Sequence, residues 1–159
     1  MADLKDILYY LVSKYPHESH LSKARLTKMV YLADWRHSIK KGGQITDIEW
    51  VYNDHGPFVW DVINAAKENE DLFEIKNTTN YFGKRKTKVE ENNQVYIPNL
   101  EDGEKEAIDH VIEETGKMNW DEFMKLVYST YPIVSKDQYS KLDLSDLAEE
   151  YKNSVVFKN

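Results

Sequence analysis

Residues 22–41, SKARLTKMVYLADWRHSIKK, constrain this chain more than any other stretch. On helical spacing, Leu26, Met29, Val30 and Ala33 share one face, while Leu32, Trp35 and Ile39 fall on another. A helix that is apolar around much of its circumference belongs in the middle of a bundle. Ser22 stands where such a helix opens. Lys40 and Lys41 suit the negative end of its dipole, and Gly42-Gly43 supplies the exit.

The rest of the chain must provide neighbours for that helix. Asp3 caps a first helix with the stripe Leu4, Ile7, Leu8, Leu11 and Val12, and Pro16 stops it. Residues 47–53, DIEWVYN, put Ile48, Trp50 and Tyr52 on one side of a short strand. A helix is expected from Pro57, with Phe58, Val59, Val62, Ile63 and Ala66 as its apolar side. Over 72–97, Phe73, Ile75, Tyr81, Val89, Val95, Tyr96 and Ile97 mark strands. With NTTN (77–80) and ENN (91–93) as turns, this reads as a two- or three-stranded meander.

From Leu100 the pattern is helical again, with Ile108, Val111 and Ile112 ending at Gly116. Asn119 and Glu122 stand at capping-box spacing, and Met118 and Phe123 at hydrophobic-staple spacing. They predict a helix carrying Phe123, Leu126 and Val127, ended by Pro132. A last helix, about 143–152, holds Leu144, Leu147, Ala148 and Tyr151. The tail SVVFKN is apolar enough to pack onto the domain or a partner. No repeat or linker breaks the pattern. The expectation is a single domain, 1–159, mainly α, with about five to six helices and a small inserted antiparallel sheet.

Charge and composition narrow the function classes. The chain has 159 residues and no cysteine, which excludes disulfides, thiol catalysis and cysteine-based zinc sites. Met1 leads into polar, charged sequence, and no uncharged run is long enough to cross a bilayer, so a cytoplasmic protein without a membrane partner is expected. Residues 1–100 hold 14 acidic and 14 basic side chains, whereas 101–159 hold 14 acidic and 7 basic. The whole net charge of −7 therefore lies in the last third. The basic cluster KRKTK (84–88) fits a solvated strand that resists edge pairing. A nucleic-acid partner is not expected from it.

The motifs that carry chemistry are missing. HESH (17–20) spaces two histidines three apart, but it has no third ligand at a family-type spacing and follows Pro16 as a loop. His37 and His110 fall on helices as surface or half-buried residues. No HExxH, GxSxG, phosphate-binding loop or EF-hand loop is present. The expectation is a protein that is not an enzyme and holds no cofactor or metal. NDHGP (53–57) looks at first like a small active site. Every residue in it has a structural use, though, and adjacent Asp54 and His55 on a strand would face opposite ways. It is read as a strand-to-helix corner, with Gly56 and Pro57 setting the backbone.

LTKMVYLADW (26–35), GGQIT (42–46), IEWVYNDHGPF (48–58) and the helix expected after it together resemble the Panacea, or SocA-like, antitoxin domain. Lys28, Tyr31, Leu32 and Ala33 match the family's central helix, and Gly42, Ile45 and Thr46 its exit. Trp50, Tyr52, Gly56 and Pro57 match its aromatic strand end. The resemblance implies a mostly helical fold and a protein that works by binding. It implies an antitoxin-like domain of bacterial or phage systems that neutralises a cognate protein toxin by direct contact. The alternative it carries is a proteolytic adaptor, delivering its client to a AAA+ protease, or a phage–host interaction module. Lys28, Tyr31, Gly42, Trp50, Tyr52, Gly56 and Pro57 are expected to keep the fold. The acidic last third is the expected docking face, with Trp120, Asp121, Glu122, Tyr128, Tyr131, Tyr139 and His55 as candidate contacts.

Overall fold

A computed structural model describes residues 1–16, 21–79, 83 and 85–158, with the backbone alone at 155–158. HESH (17–20), Tyr81 and Lys84 lie outside the described residues, as do the side chains of most of the SVVFKN tail.

The helix at 22–41 does what its two apolar faces require. As α2 (Lys23–Lys41) it is the central rod of the fold, packed against four other elements. Leu26, Met29, Val30 and Ala33 are buried, and so are Leu32 and Trp35 on the second face. Ser22 accepts a bond from the Arg25 amide, and Gly42 ends the helix in the left-handed conformation with φ 84°. α4 (Asp102–Thr115) packs along it, and α1 (Leu4–Lys14), capped by Asp3, packs against α4. Then come α5 (Trp120–Ser129), α6 (Tyr131–Ser135) and α7 (Leu144–Lys158). The capping box at Asn119 and Glu122 is formed with both bonds, at 2.9 and 3.1 Å.

The domain is mainly α, with seven helices among the described residues and small antiparallel sheets. The helix count exceeds the expectation because Pro132 does not simply end α5. Thr130 closes α5, and Pro132 sits in the first turn of α6, where a missing N–H costs nothing.

The largest departure concerns NDHGP. Pro57 does not open a helix. β1 (Trp50–Asn53) folds back on β2 (Gly56–Pro57), pairing Tyr52 with Pro57 and Asn53 with Gly56. The corner is thus a β-hairpin, and α3 starts only at Asp61 (Asp61–Glu68). Phe58 and Val59 lie in the link between them rather than on the helix. β5 (Lys141–Leu142) pairs with the other edge of β1, giving the order β2-β1-β5.

The meander has two strands, β3 (Phe73–Thr79) and β4 (Arg85–Glu91). Asn77, Thr78 and Thr79 continue β3 instead of turning. Val95, Tyr96 and Ile97 form no strand. Tyr96 packs edge-on against Tyr9 and donates to Asp6, which leaves Val95 and Ile97 in solvent. Their alternation is real, but it belongs to a strap lying on α1.

Candidate functional site

Two sites are built from the same short stretch of α2, one turn and a half apart. The first is a sealed hub. Asp34 is fully buried. It accepts from the amides of Ile45 and Thr46, at 2.9 and 3.0 Å, from the Thr46 hydroxyl, and from the Trp50 indole at 2.8 Å. Burial pushes its carboxyl upward, while the bonds from Thr46, Trp50 and Ile45 pull the other way. This single carboxylate holds the loop after Gly42 and the start of β1 against α2. Tyr31 works beside it, edge-on to Trp50 at 5.5 Å and sharing a hydrogen bond with Thr130 at 2.8 Å. Tyr31 and Trp50, two of the residues expected to keep the fold, belong to this hub, and Gly42 opens the loop that it holds. Asp34 was missed. Its signal was a lone carboxylate inside an otherwise apolar stretch, YLADW.

The second site is open and lacks such closure. Gly56 takes φ 94°, where an L side chain is strained. A Cβ there would stand 3.6 Å from the Tyr128 ring and 3.7 Å from Lys28 Cε. The hairpin, α5 and α2 thus meet at this glycine. Lys28 is almost fully buried, yet it has no hydrogen bond or ion pair among the described residues. Its ammonium sits 5.7 Å from the Phe58 ring and, as no buried side-chain nitrogen among the described residues lacks a hydrogen-bond partner, it still touches water. Burial pulls its pKa down to about 8. Its stem is buried beneath the hairpin glycine, while the charged end reaches the surface without a counter-charge among the described residues, beside the aromatic side chains there.

Those rings run in sequence across the surface. Tyr52 lies 6.3 Å from Tyr128, and Phe58 lies 5.3 Å from Trp60. The Lys23 ammonium sits 5.0 Å above the Trp60 ring. Trp60 is 58% exposed, Trp120 45% and Tyr128 38%, values well beyond core aromatics. Trp120 and Tyr128 stand eight residues apart on α5, about 12 Å along one side. Such exposed rings, fixed on rigid elements, are what protein interfaces use as anchors.

The predicted contacts divide on this map. Tyr128 belongs to the face, beside Tyr52 of the expected fold motif, and Trp120 stands at its α5 end. His55 is exposed at the hairpin tip. Asp54 accepts a bond from the Tyr139 hydroxyl rather than partnering His55. The Tyr139 amide also donates to the Tyr52 carbonyl at 2.6 Å, from a positive φ of 71°. Tyr139 therefore clamps the hairpin. Tyr131 lies elsewhere, against Tyr151 and bonded to Glu150 at 2.7 Å. Glu122 is occupied by its capping bond, and Asp121 is exposed. Phe58, Trp60 and Lys23 went unnoticed in the sequence because a helix from Pro57 would have turned Phe58 inward.

Among the described residues, no group of three His, Asp or Glu side chains converges as a metal site, and no helix is long and apolar enough to cross a membrane. No curated protein and no solved structure gives a significant match. A family model does, over residues 26–132, which contain the hub, the hairpin and α5 entire. The chain belongs to the family described as antitoxin SocA-like, Panacea domain.

Proposed function

We propose that this domain is an antitoxin that binds a cognate protein toxin directly and holds it inactive. It docks the toxin on the aromatic face around the hairpin, without chemistry of its own and in the cytoplasm. The observation that supports this reading most is the gathering of exposed rings beside Lys28, whose stem is buried and whose ammonium has no counter-charge among the described residues, inside the family-matched region. A face that only completed the core would bury those rings.

The acidic last third is the rival docking face, and its own bonding weighs against it. Glu106 pairs with Arg36 at 2.6 Å, and Glu114 with His110 at 2.9 Å. Asp109 accepts from Tyr10, and Glu150 from Tyr131. Many of these carboxylates already serve the fold.

Co-expression with the product of the neighbouring gene tests the proposal. Growth arrest by the neighbour alone, relieved by this chain, is the expected result. A neighbour that is harmless alone ends the antitoxin reading. The half-life of the toxin then separates two mechanisms. Masking leaves the toxin long-lived in the complex, while delivery to a AAA+ protease shortens its life only when the protease is present.

A further inference from the structure

Beside the aromatic face lies a groove of about 630 Å³, walled by the start of α2, by β4 and by the start of α5. Lys23, Arg85 and Lys86 line it, with Trp120 along one wall. No carboxylate stands among its lining residues, and none of these three cations has an ion pair among the described residues. Ion pairs elsewhere take up Arg36 with Glu106, Lys76 with Glu90 and Lys14 with Asp109, and most other described cations are unpaired too; the groove differs in bringing three of them together with no carboxylate in its lining. Arg25 also borders the groove, but it is spent on the fold. It donates to the Tyr15 hydroxyl and to the Thr115 and Met118 carbonyls.

In a chain of net charge −7, the lining of this groove is cationic. Three unpaired cations gather at one concavity, next to the exposed Trp120 and joined to Trp60 through Lys23. We propose that this groove receives an acidic segment of the partner protein, its carboxylates on Lys23, Arg85 and Lys86 and an apolar side chain on Trp120. The inference rests on the antitoxin reading for the identity of that partner, and it adds the chemistry by which the partner is recognised. Charge complementarity selects an acidic occupant. A protein segment fits better than a nucleic acid. A phosphate backbone would need a longer cationic track than these three residues supply.

Direct titration of the full-length protein tests this, read by Trp fluorescence and by the anisotropy of a labelled probe. The probe is the ten-residue peptide Glu-Asp-Leu-Glu-Asp-Phe-Glu-Asp-Leu-Glu. Its controls are the Gln/Asn counterpart and a single-stranded DNA of equal charge. The expected result is saturable binding of the acidic peptide at low salt and at least tenfold weaker binding of the neutral one. The triple variant K23A/R85A/K86A, altered only on the surface, should also lose at least tenfold. A third protein, W120A, should bind more weakly and lose the fluorescence change. Equal binding by the triple variant, no binding at all, or tighter binding of the DNA would each overturn the proposal. The two readings fail separately. Toxin rescue that survives K23E/R85E/K86E sinks the groove and spares the antitoxin function. Peptide binding without any toxin rescue does the reverse.

Discussion

Asp34 and Lys28 lie six residues apart on one helix, and both are buried charged groups. They are treated in opposite ways. Asp34 is met by donors from the chain that follows it, and its hub is closed. Lys28 has no counter-charge or hydrogen bond among the described residues, and its cover is a hairpin glycine and exposed rings. The contrast teaches how to divide a family motif. Residues around Asp34 are retained by the fold, because removing any partner strands the others. The arrangement around Lys28 costs stability by itself, which makes sense where an arriving surface completes it.

Removing Asp34 is the largest way to break the comparison. Asp34→Ala leaves two amides, a hydroxyl and an indole without their acceptor, and should cost about 3–5 kcal/mol in urea unfolding. Removing Lys28 should act in the opposite direction. Its pKa is held at about 8 against the usual 10.5. Between those values the unfolded chain carries a proton that the folded one has shed, so stability rises with pH across pH 8–10.5. Lys28→Met should abolish that rise relative to the parent and add about 2–3 kcal/mol at pH 7. A destabilised Lys28→Met with an unchanged pH profile would show that the lysine is a fold-keeper like Asp34. The smallest stability effect belongs to the exposed rings. Trp60→Ala should change unfolding by no more than about 0.5 kcal/mol. It should nevertheless weaken the toxin complex by about tenfold or more in a titration.

The same contrast explains what was legible in the sequence. The central helix, its caps and the capping box at Asn119 could be read locally, because apolar spacing and end chemistry act within a few residues. Asp34 could not, since its donors arrive 11 to 16 residues later. The hairpin failed for a related reason. Pro57 suits the first turn of a helix as well as an edge strand, and the pairing of Tyr52 with Pro57 decides for the strand, on a β1 whose other edge is held by Lys141–Leu142. Val95 and Ile97 show the reverse error. Their alternation looked like a strand, but a tether at Tyr96 sets it. The fold motif Lys28, Tyr31, Gly42, Trp50, Tyr52, Gly56 and Pro57 was visible as a pattern. Its division into a closed hub and an open face appears only when the burial and bonding of each member are known.

Hydrogen–deuterium exchange of the full chain, alone and bound to its toxin, tests the docking face most directly. The account predicts new protection over 51–60 and 120–128, with the hub around 34–50 already protected in the free protein. Protection confined to 101–115 and 143–152, with the hairpin unchanged, would contradict it and assign docking to the acidic helices.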